Sequence, residues 1–226
     1  MIRTHQIFII YHTGMFGMML ANLLDSSNRK LVGPRGTSHN SGYRMVIKNF
    51  HNTHHAETIL QMNDKERFGF FQPLKYVIDR KCVHALSSYK FLKIPFHQYF
   101  ESFTVVALVP EQDITHESWA SRYVSTMSEY KEGKTQDIIS EKVRYLKKDL
   151  INAKDGNYHI RFDPINFFDF EQTQKLVRDI CVHAKYDRIK IPYDNWSKHM
   201  SKAKPFFDNL SNYNTEIIGG SPISSE

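Results

Sequence analysis

The longest apolar stretch of the chain runs from Ile7 to Leu24 and changes its character midway. Its first part, IFII, contains the β-branched and aromatic residues that suit a buried strand. Its last part, MMLANLL, consists of strong helix formers. Between them lies YHTGMFG, in which Gly14 and Gly17 stand close together. This order predicts a strand, a glycine loop and a helix.

A membrane anchor and a signal peptide are the alternatives for this stretch. A spanning helix needs about 20 mainly apolar residues, whereas the polar and glycine residues of YHTGMFG interrupt this run. A signal peptide needs a small-residue cleavage site after its apolar core, and LLDSSNRK, which follows, contains no convincing one. We therefore expect no membrane association through this stretch.

The pattern in the rest of the chain predicts strands that alternate with helices. The predicted strands lie at 44–50, 80–86, 103–109 and 156–162. The predicted helices lie at 54–64, after an Asp113 cap, at 136–151 and after an Asp169 capping box. Such alternation predicts an α/β fold with a mainly parallel sheet flanked by helices, whose ligands bind at the carboxyl ends of the strands. We expect one domain over residues 1–218 and a flexible tail over 219–226.

One stripe on the predicted helix after Asp113 is better explained by packing than by a cofactor. Trp119, Tyr123, Met127 and Tyr130 recur at a spacing of three or four residues. This spacing places them on one helix face, which is typical of a core-facing stripe.

Composition narrows the class of protein only a little. The chain has 226 residues, of which 41% are apolar and 13% aromatic, as in globular proteins. A net charge of +6 favours anionic ligands. Cys82 and Cys181 both lie in apolar surroundings, which indicates buried thiols and fits a reducing cytoplasm.

The glycine loop is a candidate anion site. The N-terminus of a helix leaves backbone N–H groups without partners, and a glycine loop lets a phosphate approach them closely. The sequence contains neither G-x-x-x-x-G-K-[ST] nor G-x-G-x-x-G. A plain turn between a strand and a helix is therefore an equal alternative on these residues alone.

Two other patterns have simpler explanations. His51, His54, His55 and Glu57 in HNTHHAE form an incomplete ligand set for zinc, so we expect no metal site there. Aromatics lie near the basic stretches RYLKKDLINAK and KHMSKAK, but those at 119–130 follow a core stripe and are not placed to stack on bases. We therefore expect the basic stretches to be solvated faces, and nucleic acid is an unfavoured partner.

The order of these segments resembles the sulfotransferase family, which uses PAPS (3′-phosphoadenosine 5′-phosphosulfate) and has a P-loop-like α/β fold. YHTGMFGMML stands where the family has a strand, P-K-S-G-T-T-W and a helix. KCVHAL stands where a strand ends in K-T-H-L-P, and FTVVALVPEQDITHESWASRY stands where a strand runs into R-N-P-x-D-x-x-x-S. HIRFDPINFFDFEQTQKLVRDI has the family's late order of strand, acidic loop and helix.

The resemblance implies transfer of a sulfuryl group from PAPS, leaving PAP (adenosine 3′,5′-bisphosphate), to a hydroxyl or amine on a small-molecule or glycan acceptor. It places the general base of the family at His84 and the loop lysine of the family at His12, the two catalytic candidates. It implies that the amides of the loop hold the 5′-phosphate and that a serine holds the 3′-phosphate. The corresponding cofactor-binding positions are Thr13, Gly14, Met15, Phe16, Gly17 and Ser118.

This chain departs from the family at several phosphate contacts. Two loop threonines of the family fall at Met15 and Phe16, and its arginine falls at Leu108. Arg35, Lys48 or Arg122 could supply the missing positive charge. The alternative function is a non-catalytic protein that keeps the fold and binds another anion or nucleotide. An enzyme would place His84 and the loop in one cleft.

Overall fold

The computed structural model describes residues 5–25, 53–71, 82–125, 135–186 and 189–208. Within these ranges the strands are β1 (Gln6–Tyr11), β2 (Cys82–Leu86), β3 (Phe103–Leu108) and β4 (Ile160–Phe162). The α-helices are α1 (Gly17–Asp25), α2 (Thr53–Gln61), α3 (Asp64–Phe71), α4 (His116–Val124), α5 (Thr135–Lys154), α6 (Phe170–His183) and α7 (Tyr193–Ala203). Short 3-10 helices lie at Tyr89–Lys93, Phe96–Gln98, Asp113–Thr115, Pro164–Phe168 and Lys204–Phe206.

The four strands form one parallel sheet in the order β2-β1-β3-β4. Tyr11 at the end of β1 lies opposite Leu108 at the end of β3. The chain runs from β1 to β2 on one side and then crosses to β3 on the other, so the direction of winding reverses at β1. In open parallel sheets the ligand crevice lies outside the carboxyl ends of the strands at such a reversal.

The core surrounds β1, in which every residue is buried. Successive side chains of a strand point to opposite faces, so both faces of the sheet are covered at this position. The ring of Phe8 on β1 stacks on Phe96, with centroids 4.1 Å apart, and packs against Phe100. The buried core gives the carboxyl end of β1 a fixed position.

The predicted α/β class and parallel sheet are confirmed, as are the strand–loop–helix order of the opening stretch and the capping of α6 by Asp169. The Asp169 carboxylate accepts hydrogen bonds from the amides of Glu171 at 2.8 Å and Gln172 at 3.1 Å. The buried setting predicted for Cys181 is also confirmed.

The prediction that Asp113 caps the following α-helix is wrong. A 3-10 helix, Asp113–Thr115, intervenes, and α4 begins only at His116, after Thr115, which forms no side-chain cap hydrogen bond. The predicted strand at 44–50, the tail at 219–226 and the later stripe positions, Met127 and Tyr130, lie outside the described residues.

None of the helices in the described ranges combines the length and the apolar character that a membrane crossing needs. The opening stretch divides into β1 and α1. The single-domain boundary and the cytoplasmic location stay predictions.

Candidate functional site

The glycine loop, residues 12–16, joins the end of β1 to the start of α1. The amide of Met15 donates to the carbonyl of His12 at 3.2 Å and closes a turn. Gly14 has φ +95°, and a Cβ atom there would lie 2.8 Å from the Trp119 carbonyl oxygen. A Cβ atom at Gly17 would overlap the ring of Tyr11. The two glycines therefore permit close backbone packing that larger residues would prevent.

The apolar side chains of the loop belong to the core. Met15 and Phe16 are buried, and Phe16 packs edge-on against Trp119 at 5.5 Å and Phe167 at 5.4 Å between centroids. Only the backbone at these two positions can contribute to an anion site. The N-terminus of α1 adds N–H groups that lack intrahelical partners, together with the positive end of the helix dipole.

Arg122 on α4 brings a positive charge to the loop. Its guanidinium donates a hydrogen bond to the carbonyl of Gly14 and lies 4.4 Å from the ring centroid of Phe16. Burial lowers the pKa of Arg122 to about 10, which leaves it protonated at neutral pH. In the part of the chain that the structure describes, no carboxylate pairs with it. Arg35 and Lys48, the other suggested substitutes, lie outside that part.

The exposed face of α7 adds to this positive region. Burial lowers the pKa of His199, and Lys202, Arg122 and Lys198 lower it further. Arg122 on α4 and the two lysines of α7 thus act on the same imidazole. An anion near the loop would therefore meet a positive field from two helices.

His12, the first residue of the loop, pairs with a carboxylate from α5. Its Nδ1 lies 3.0 Å from Oδ2 of Asp149. Asp149 is buried and also accepts hydrogen bonds from the Ser88 hydroxyl at 3.0 Å and from the Tyr89 amide at 3.1 Å. Three segments that are distant in sequence thus converge on one carboxylate at the carboxyl ends of β1 and β2.

Asp149 was not predicted as a site residue, although the sequence contains a signal for it. It lies three residues after Leu146 and four before Ala153, and both of these are buried. An acidic residue within the apolar stripe of an amphipathic helix has to find a partner when the stripe is buried. Its partners come from distant segments, which helix periodicity alone does not identify.

The phenol of Tyr89 connects the loop with β3. It donates to the carbonyl of Leu108 and lies 3.3 Å from the sulfur of Met15. Burial, and secondarily Asp149, raises the pKa of Tyr89 well above its ordinary value, so the phenol stays protonated and acts as a donor.

Asp163 fixes the end of β4 beside the end of β3. Its carboxylate accepts hydrogen bonds at 3.1 Å from the amides of Ile165 and Glu111. Burial raises its pKa, and the two amide bonds oppose that effect. Its oxygens are occupied by backbone groups, which indicates that it stabilises the loops at this edge.

The structure does not bring His84 to the loop. His84 lies in the middle of β2 opposite Phe8, is 2% exposed, and places Nε2 2.8 Å from Oε1 of Gln6. Burial lowers its pKa to about 3. Phe8 precedes Tyr11 by three residues, so the register puts His84 roughly 10 Å before the carboxyl edge. A buried imidazole at this depth lacks access to an acceptor, which argues against its predicted role as the general base.

Thr13 belongs to the loop and Ser118 to α4, and neither position shows what it would contact. Ser118 is partly exposed on the first turn of α4, four residues before Arg122, and the two therefore share a helix face. Thr13 is partly exposed within the turn. Their predicted contacts with a nucleotide stay predictions.

Two buried polar atoms on α4 have no hydrogen-bond partner, His116 Nδ1 and Trp119 Nε1. His116 Nδ1 lies 3.8 Å from an oxygen of Asp113, which is beyond hydrogen-bond range. Unpaired buried polar groups cost about 1–3 kcal/mol each. Both belong to the helix that packs against the loop, so the stability cost is concentrated beside the candidate site.

The described residues contain no group of three or more His, Cys, Asp or Glu side chains that could hold a metal ion. In the HNTHHAE segment, Glu57 forms an ion pair with Lys90. His51 lies outside the described residues.

Comparisons of the chain with protein-family models, with curated proteins and with solved structures find no match. The functional interpretation therefore rests on the residues and geometry of the chain itself.

Proposed function

We propose that this chain is a sulfotransferase-like protein that binds PAPS at the glycine loop and transfers its sulfuryl group to a hydroxyl or amine acceptor. The observation that carries the proposal is Arg122, a largely buried cation that contacts the loop and has no carboxylate partner among the described residues. An anion at this position would supply the missing negative charge.

The position of the loop supports an anionic ligand. The loop follows β1, where the winding of the sheet reverses, and it leads into the N-terminus of α1. Crevices at such reversals and helix N-termini both favour phosphate groups. The loop combines these two features with the cation on α4.

The arrangement of the sheet supports a nucleotide sulfate over a simple anion. The three segments that resemble the family's phosphate loop, histidine strand and 3′-phosphate strand correspond to β1, β2 and β3. These strands are direct neighbours, with β1 in the centre. Three segments that contact the same nucleotide have to lie side by side, and β1, β2 and β3 do so.

Sulfuryl transfer makes modest demands on the protein. It is an in-line displacement, and like phosphoryl transfer it depends on positioning and on donors directed at the moving group. The loop amides and Arg122 are donors of that kind.

The alternative is a protein that binds a nucleotide or another anion at the same loop without transferring a group. The burial of His84 favours it, because the base expected from the resemblance is out of reach. Both functions require the loop and Arg122, so turnover of PAPS separates them.

The test is calorimetric and thermal-shift titration with PAP, using the wild type, Arg122→Gln and Arg178→Gln as an exposed control on α6. A ligand that binds only the native state at 100 times its Kd stabilises it by about 2.7 kcal/mol. We expect saturable stabilisation of the wild type and of Arg178→Gln. For Arg122→Gln we expect a Kd raised at least tenfold, since a hydrogen bond to a charged group contributes about 1.5–3 kcal/mol.

The absence of any shift at millimolar PAP would overturn the proposal. An equal loss of affinity in Arg122→Gln and Arg178→Gln would show that net charge, and not the loop site, governs binding. Inorganic sulfate at the same ionic strength is the control for a non-specific salt effect.

A further inference from the structure

We infer that His12 and Asp149 form the acid–base pair of the transfer reaction, with His12 taking the proton of the acceptor and Asp149 acting as a positioning residue. This inference rests on the proposed function and deepens it. The geometry that carries it is a loop histidine whose one ring nitrogen is held by a buried carboxylate while the other is open.

The two ring nitrogens of His12 have different surroundings. Nδ1 lies 3.0 Å from Oδ2 of Asp149. Nε2 forms no hydrogen bond within the described residues, and it is not one of the buried unpartnered atoms, which are His116 Nδ1 and Trp119 Nε1. The His12 side chain is 15% exposed, and Nε2 is the ring nitrogen that the carboxylate leaves open.

The contact with Asp149 determines the tautomer of the His12 imidazole. An ionised carboxylate can only accept, so the hydrogen bond to Asp149 assigns the proton to Nδ1 and leaves the lone pair on Nε2. A general base needs this arrangement: a nitrogen lone pair that is accessible, and a second group that holds the ring.

Several hydrogen-bond donors hold the Asp149 carboxylate in place. It is 8% exposed, and the Ser88 hydroxyl and Tyr89 amide donate to it from the turn after β2. The amide of Asn152 reaches Oδ1 at 3.4 Å. With its oxygens fixed by donors from two elements, the carboxylate can hold the imidazole in one orientation and stabilise the imidazolium that forms during transfer.

His12 and His84 differ in their position relative to the glycine loop. His12 begins the glycine loop itself, and its carbonyl closes the turn with the Met15 amide. His84 has Nε2 occupied at Gln6 and lies in the core. Of these two histidines, His12 is the one beside the proposed phosphate site. The base would therefore come from the loop after β1 and not from β2.

The reaction balances as follows. The acceptor O–H bond breaks as Nε2 of His12 takes the proton, and the acceptor oxygen forms a bond to the sulfur of PAPS. The bond between that sulfur and the 5′-phosphate oxygen breaks, and PAP leaves with the electron pair. The imidazolium then releases its proton to water, while Asp149 stays ionised throughout.

The test measures turnover of ³⁵S-labelled PAPS with water and with a panel of phenol, alkanol, sugar and amine acceptors, across pH, beside PAP binding on the same samples. The variants are His12→Gln, Asp149→Asn and His97→Gln, an exposed histidine that serves as the control. For His12→Gln we expect turnover lowered at least 100-fold with the Kd for PAP within about threefold of wild type, because general acid–base catalysis contributes about 10²–10⁴-fold.

The pH profile separates a catalytic from a merely structural role. His12→Gln should lose the acid limb of the profile. Asp149→Asn should lower turnover tenfold or more while the Kd for PAP stays within about threefold of wild type, which is the split expected when the base is no longer held in place. His97→Gln should keep the wild-type profile. If His12→Gln does not fold, wild-type turnover in Asp149→Asn overturns the inference.

The outcomes distinguish this inference from the proposed function. PAP binding with turnover that His12→Gln retains within threefold overturns the acid–base pair and leaves the sulfotransferase proposal standing. PAP binding without transfer to any acceptor overturns the pair and favours the non-catalytic protein. A wild type that does not bind PAP overturns both.

Discussion

The two ends of the parallel sheet both carry histidines, and they use them differently. At the amino end, His5, Thr104, His159 and His183 form a group that we call the amino-edge cluster. The Thr104 hydroxyl lies 2.8 Å from Nε2 of His5 and 2.9 Å from Nδ1 of His183. The rings of His159 and His183 are 4.6 Å apart. At the carboxyl end, Nδ1 of His12 lies 3.0 Å from Oδ2 of Asp149.

The difference between these edges lies in the charge of the partner. Hydroxyls and neighbouring imidazoles surround His5, and both of its ring nitrogens are occupied by Ser102 and Thr104. Burial, and then His183, His159 and Lys185, lower its pKa to about 4. His5 therefore links strands at the amino edge as a neutral imidazole, whereas a buried carboxylate holds the ring of His12 at the other edge. The same residue type thus serves structure at one end and, as proposed, chemistry at the other.

The largest expected effect comes from the backbone of the carboxyl edge. Gly17→Ala would push a Cβ atom into the ring of buried Tyr11, and we expect a loss of about 2–3 kcal/mol, as in overpacked cores. Gly69→Ala on α3, where nothing lies within 4 Å, is the matched control. It should gain up to about 1 kcal/mol from helix propensity. Urea unfolding of both variants checks this, and equal stability would show that the loop has room to adjust.

The next prediction compares the hydrogen bonds of the charged Asp149 at the carboxyl edge with those of the neutral Thr104 at the amino edge. Each oxygen of Asp149 accepts from two donors, so in Asp149→Asn the amide N–H₂ group faces two of the four. We expect a loss of about 2–3 kcal/mol because bonds to charged groups are the stronger ones. Thr104→Val removes the hydroxyl between His5 and His183 and should cost about 1 kcal/mol. Denaturant unfolding at pH 7 measures both. A larger loss for Thr104→Val would reverse the ranking of the two edges.

The smallest expected effect is a pH dependence that belongs to the amino edge. Because the pKa of His5 falls from 6.5 to about 4 on folding, its contribution to stability is complete above pH 6.5 and is lost as the pH falls toward 4. His5→Asn should therefore flatten the decline of Tm between pH 7 and 4.5 by a few degrees. His97→Asn, at an exposed position, should decline in parallel with the wild type. Parallel curves for all three proteins would contradict the role given to His5.

The fold was predictable where its signals are local. The change from IFII to MMLANLL along the chain is visible in the sequence and gives β1, the loop and α1. The capping by Asp169 depends on residues two and three positions away. Asp113 failed as a cap because a 3-10 turn of comparable local energy intervenes, and the sequence does not separate the two.

The candidate site was predictable only in part, because its contacts are distant in sequence. Gly14 and Gly17 were identified from their place between a strand and a helix. Asp149 meets His12 across 137 positions, and Tyr89 meets Met15 across 74. Periodicity places Asp149 on a buried helix face, but it does not show which loop that face covers. His84 was assigned to the correct strand, whereas its burial depends on how far β2 continues beyond it.

The Tyr89 phenol has a consequence for the energetics of ligand capture. By binding the Leu108 carbonyl and the Met15 sulfur, it joins the turn after β2, the loop after β1 and the end of β3. Folding therefore orders the loop before any ligand arrives. An incoming anion would lose its own translational and rotational freedom. It would not have to immobilise the loop, because the loop has already lost its conformational entropy on folding. The affinity for an anion at this edge would then depend on the contacts that the ligand makes, and no free energy of ordering the loop would be subtracted from it.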